Sequence, residues 1–95
     1  MNAALNRVVN DQCGFITSND ILEIGKEYPT MQVLVRTGTN RYVCGLEDLT
    51  TVFDNVSKKG DYVRDVCLTA ENHERIKNGS KPYTMTRIHQ VHPDA

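Results

Sequence analysis

A chain of 95 residues with a formal net charge of -1 excludes several classes at once. It is too short for two cores, and it lacks the basic excess usual in nucleic-acid binding. Apolar residues make up 39% of the chain and there are six glycines, the low edge of ordinary globular composition, so the expected core is small.

The first predicted helix covers residues 3–13. Leu5, Val8, Val9 and Cys13 form a narrow apolar stripe, and Gly14 follows as a stop. Thr17 then reads as an N-cap with Asp20 three residues on, close to a capping box. Ile16 and Ile21 flank it as a hydrophobic staple. This second helix is short, ending near Gly25, with a strand over residues 20–24 as the alternative.

Residues 31–36 read as a strand with Met31, Val33 and Val35 on one side. The run Thr37-Gly38-Thr39-Asn40 is a turn, in which Gly38 and Asn40 are expected to take left-handed backbone. Residues 41–44 return as a second strand. The best-specified element is the helix over residues 46–59. Leu46, Leu49, Phe53 and Val56 recur at three- and four-residue steps, Glu47 and Asp48 open it, and Lys58 and Lys59 precede a stop at Gly60.

Residues 62–68 form the third predicted strand, apolar on both faces and therefore expected to be central. Thr69 caps a helix over residues 70–77, with Glu71 early and Arg75 and Lys77 late, matching the helix dipole. Only Ala70 and Ile76 offer it apolar surface. Pro82 opens a last strand over residues 83–91, on which Tyr83, Met85 and Val91 share a face with Arg87 and His89; residues 92–95 are expected to fray. The resulting fold class is a single α+β domain, residues 1–95: a small four-stranded, mostly antiparallel sheet with one main helix on a face and short peripheral helices.

No motif for chemistry matches these elements in strength. Cys13, Cys44 and Cys67 are odd in number and widely spaced, which argues against a disulfide framework. Cys44 and Cys67 read as small buried hydrophobes, and Cys13 sits at the wrong helix end for an activated thiolate. His89 and His92 point to opposite sides of a strand, so a metal-dependent hydrolase would need His73 and a loop to bring three ligands together. Glu71 and Glu74 share a helical face but read as a solvated pair. Gly38, Thr39, Asn40 and Arg41 could receive a phosphate, without any nucleotide motif.

The expected function is binding rather than turnover: a small accessory or inhibitory protein that engages another protein and forms a homodimer. Its composition is compatible with a viral or mobile-element protein. Tyr42, Tyr62, Arg64, Tyr83 and Arg87 are the candidate contact residues, with tyrosines as anchors and arginines pairing with acidic groups. The alternative is an anionic or nucleotide-like ligand held by Arg36, Arg41, Arg64 and Arg87 at an oligomer interface. No cofactor or bound metal is expected. The chain start shows no basic stretch followed by an apolar run, and no segment reaches the roughly 18 apolar residues of a membrane span, so a cytoplasmic setting is expected. The charge is mildly asymmetric: residues 1–57 hold four basic and seven acidic side chains, and residues 58–95 hold seven and five.

Overall fold

Alternation along one strand organises the molecule. In β1 (Gln32–Thr37), Val33 and Val35 are fully buried, as is Met31 just before it, while Gln32, Leu34 and Arg36 are half-buried. The computed structural model describes residues 2–91. Within it, β1 pairs antiparallel with β2 (Arg41–Gly45) on one side and with β3 (Val63–Leu68) on the other. A short β4 (His89–Val91) pairs antiparallel with β2, so the strand order is β3-β1-β2-β4.

Four helices cover one face of this sheet: α1 (Ala3–Asn10), α2 (Ser18–Glu27), α3 (Leu49–Lys58) and α4 (Ala70–Lys77). Each contributes to a single cluster. Leu5 and Val8 come from α1, Ile24 from α2, Val52 and Val56 from α3, and Ile76 from α4; they meet Met31, Val33, Val35, Cys44, Val66 and Leu68 of the sheet. The α+β arrangement expected from the sequence is the one observed.

Local signals account for several boundaries. Asn2 caps α1 by accepting from the Ala4 and Leu5 amides. Thr17 and Asp20 form the reciprocal capping box of α2. That helix runs on to Glu27, past Gly25, and the strand alternative for residues 20–24 falls away. Thr69 accepts from the Asn72 amide and starts α4 at the expected residue.

Other boundaries are set by contacts from distant parts of the chain. The first helix stops at Asn10, three residues early, because His73 of α4 donates through Nε2 to the Val9 carbonyl at 2.8 Å. The Asp11 carboxylate then accepts the Phe15 amide and turns the chain. A 3-10 turn, Leu46–Asp48, precedes α3 and shifts its phase. Val52 therefore lies inward beside Leu49 and Val56, and Phe53 sits on the flank at 36% exposure instead of in the core.

Two further expectations are corrected. Gly38 and Asn40 do not adopt positive φ; the turn is held by the Thr37 hydroxyl, which accepts from the Thr39 and Asn40 amides. The third strand is not central but lies at the edge, where Gly14–Ile16 backbone groups partly cover it. Its register shifts opposite Arg36 and Thr37, leaving Arg64 as the extra residue of a bulge, so Val63 joins the core side with Val66.

The expected long last strand is broken. Only residues 89–91 pair with β2; Tyr83 and Met85 instead bond to Gln32 and Thr30 at the start of β1. Between them the chain crosses the sheet from the β3 side to the β2 side. Asn72, completely buried, secures the start of this strap. Its Nδ2 donates to the carbonyls of Gln32 (2.9 Å) and Tyr83 (3.1 Å), and its Oδ1 accepts the Tyr83 amide (2.7 Å). Gly45 permits the crossing, since a Cβ there would lie 2.3 Å from the Met85 carbonyl oxygen.

Asn72→Ala removes the hydrogen-bond partner of the Tyr83 amide and of the Gln32 and Tyr83 carbonyls, a loss of about 2 kcal/mol. Urea denaturation should show that loss. Gly45→Ala should lift the strap with less effect on the core. The Met85 amide is expected to exchange with deuterium markedly faster than in the wild type, while the amides between β1 and β3 keep their rates.

Candidate functional site

The helix-free face of the sheet is built by register. Residues directly opposite across antiparallel strands project to the same side. Leu34 is opposite Cys67 and Val43, Val43 is opposite His89, and Phe15 bridges to Cys67. One row therefore runs Phe15, Cys67, Leu34, Val43, His89 across the whole sheet. None of these five belongs to the helix-side core cluster. The next row runs Asp65, Arg36, Arg41, Val91.

Arg36 forms a two-pronged ion pair with Asp65, Nε and Nη2 each 2.7 Å from a carboxylate oxygen. The Asp65 hydrogen bond is the main cause that raises the Arg36 pKa, so this guanidinium stays charged. It also lies 5.7 Å from the centre of the Phe15 ring, which is 42% exposed. On the other flank of the apolar row, Gln32 Nε2 donates to the Met85 sulfur at 3.6 Å, at the place where the strap crosses. The face is thus an apolar floor between a pair of arginines and a backbone wall.

The five candidate contact residues do not assemble there. Tyr42 is a correction: it is 6% exposed, points into the helix side with Val35, and has its ring 5.7 Å from the Lys59 ammonium. Tyr62 and Tyr83 are 65% and 50% exposed. They bond to opposite ends of β1, at Gly38 and Gln32. That separation is about 20 Å at strand rise, too far for one anchor pair. Tyr83 is stacked under Arg75 at 4.1 Å. Arg64 lies at the bulge and Arg87 in the strap, both exposed.

Among the four arginines of the ligand reading, Arg36 and Arg41 are cross-strand neighbours, and Arg36 is already engaged by Asp65. A pocket of about 100 Å³ is lined by Leu5, Tyr28, Ile76 and residues 79–82, with none of these arginines. The hairpin loop is filled from within. Asp61 Oδ2 accepts the Thr39 hydroxyl at 2.7 Å and the Thr39 amide at 3.3 Å, and Oδ1 accepts the Tyr62 amide at 2.8 Å. A Cβ at Gly38 would lie 2.7 Å from both the Asp61 carboxylate and the Tyr62 ring, so a side chain there displaces one of them.

The other chemical candidates have structural roles. His73 ties α4 to the end of α1, and Glu74 accepts from Asn78 Nδ2. His89 is on the open face, and His92 lies outside the described residues, as does the expected frayed tail. Among the described residues no group of three His, Cys, Asp or Glu side chains is placed to hold a metal ion. Burial pushes the Cys44 thiol up to about 11 and raises that of Cys67, so neither is a ready nucleophile. Cys13 is exposed. No helix of the described residues is long and apolar enough to cross a membrane.

Sequence reasoning missed Phe15, Leu34, Val43 and Cys67 as one surface. The signal was present in the alternation of residues 32–36 but needed the pairing register and the bridge at Phe15 to become a row.

Hydrogen bonds, first from the Thr39 hydroxyl and then from the Tyr62 amide, hold the Asp61 carboxyl at about 2, below its ordinary 3.8. A carboxylate with a depressed folded pKa stabilises above its ordinary pKa, and that contribution is lost as pH falls through the folded value. Thermal melts from pH 6 to pH 2 should therefore show Asp61→Asn less stable than wild type at pH 6. The gap should narrow as pH drops from about 4 towards 2.

No family model, no curated protein and no solved structure matches this chain.

Proposed function

We propose that the chain is a non-catalytic binding protein that receives another protein on the open face of its sheet. The observation that supports the reading is the one-sided architecture. All four helices join one cluster, and the opposite face carries Phe15, Leu34 and Val43 beside Arg36 and Arg41, with Cys67 buried between Phe15 and Leu34 in the row. Aliphatic floor, aromatic edge and arginine flank are the composition favoured at protein interfaces. Tyr62 and Tyr83 act at most as peripheral contacts, one at each end of the strands.

The pocket beside Pro82 holds a cavity of about 100 Å³, small beside the ~300–1,000 Å³ of usual ligand sites. A broad, shallow sheet face suits a macromolecular surface better than a metabolite.

The test is comparative capture from cells of the native source, followed by affinity measurement on the protein recovered. Val43→Glu places a charge in the floor and should weaken binding at least tenfold, about 1.4 kcal/mol. Leu22→Glu, on the exposed side of α2, should leave it unchanged. Retained affinity in Val43→Glu with a correctly folded sheet, or loss in Leu22→Glu alone, would refute the open-face site.

A further inference from the structure

We propose that the partner element on this face is an amphipathic helix with acidic residues along one flank, laid across the strands over the Phe15-to-His89 row. The proposal rests on the open-face reading and goes further, to the shape and charge of what binds.

Shape comes first. The row crosses five chain segments, about 19 Å at the usual strand spacing. A helix of about 13 residues has that length. The row's flanks are unequal. On one side, Gly45 and Gln32 lie under the strap, where the Met85 backbone stands above the sheet. On the other, Arg36 and Arg41 face each other across β1 and β2. These flanks are four residues apart along β1, about 13 Å, and a helix with its side chains is roughly 10–12 Å across. An α+β sheet commonly buries an apolar face under helices, and on this face that layer is absent among the described residues.

Charge selects the partner. The flanking row contains two arginines and one carboxylate, Asp65, which already binds Arg36 through both oxygens. Arg41 is exposed and forms no ion pair among the described residues. A guanidinium at the edge of an apolar floor suits a carboxylate on the incoming element. A second copy of this chain is a poor occupant, because the carboxylate its open face would offer is Asp65, which is already held by Arg36 through both oxygens. Nucleic acid is also poorly matched. Bases stack on aromatic side chains in the middle of a sheet, and here the middle positions are Leu34 and Val43 while the Phe15 ring lies at the edge beside Arg36.

The test uses the isotope-labelled full chain and two synthetic helical peptides that share one leucine stripe. One carries glutamates on its flank and the other lysines. The glutamate peptide should shift the amide resonances of Leu34, Arg41, Val43 and Cys67 and leave those of α2 in place. Arg41→Glu, a change at an exposed position, should weaken that peptide at least tenfold and strengthen the lysine peptide. Equal binding of both peptides to the same amides, indifferent to Arg41→Glu, would overturn the acidic-partner inference and leave the open face standing as the binding surface. If neither peptide moves any of these amides at millimolar concentration, the helix inference fails, and the open-face reading is decided separately by the Val43→Glu capture experiment. Tighter binding of an oligothymidylate to the same amides would replace the helix by a single-stranded nucleic acid.

Discussion

The whole structure depends on the two sides of β1 having different fates. Met31, Val33 and Val35 reach zero exposure because four helices converge on them. Burying a Val or Met side chain from water contributes about 1.5–3 kcal/mol, so these three positions alone set the direction in which the helix layer must lie. Strand pairing then transmits that choice. Cys44 and Leu68 are opposite Val33, and Tyr42 and Val66 are opposite Val35, so β2 and β3 turn the same sides inward. Everything on the other side is a consequence of that orientation.

A 95-residue chain has limited material for a second layer, and this one uses the stretch after α4 differently. The segment after α4 crosses the end of the open face as a strap and supplies the short edge strand β4. The crossing relies on polar contacts more than on apolar burial. Asn72 joins Gln32 to Tyr83, and Arg75 both stacks on Tyr83 and donates to the Lys81 carbonyl at 2.9 Å. Directional bonds fix where the strap lies, which apolar contact by itself does not do. The strap in turn gives the open face a raised edge, so a buried asparagine on the helix side shapes a surface on the far side of the sheet.

Much of the fold was legible because it is encoded locally. The Thr17–Asp20 box, the Thr69 cap and the Gly60 stop are each written within a few residues, and each lies where it was expected. The hairpin between β1 and β2 was readable from alternation, although its turn is closed by Thr37 and Asp61 and not by left-handed backbone. The failures share a cause. Phe53 lies on the flank because a 3-10 turn immediately before α3's first inward residue, Leu49, alters the phase, and a plain helical period does not contain that information. The core-side position of Val63 is not readable from alternation, because the bulge at Arg64 exists only through pairing with β1. Gly45 offered no local hint of its role, since the carbonyl that needs the space belongs to Met85. Tyr42 illustrates the same limit: with Tyr42, Val43 and Cys44 all apolar or aromatic, β2 has no phase of its own and takes it from Val33 and Val35.

The arginines make the argument for the site more than the tyrosines do. Two guanidiniums directly opposite on neighbouring strands repel, and a sheet tolerates this when a neighbour compensates or when the pair is used. Asp65 compensates Arg36 and leaves that side chain rigid, held by two hydrogen bonds and by the Phe15 ring. Arg41 is the more exposed member of the pair. An incoming carboxylate would find Arg36 preorganised and already satisfied, and Arg41 with its donors directed to solvent. The Coulomb gain at such a site is modest in water and grows as an apolar element covers Leu34 and Val43 and lowers the local dielectric. On such an incoming element floor and flank would act together: apolar contact would strengthen the ion pair, and the ion pair would orient the apolar contact.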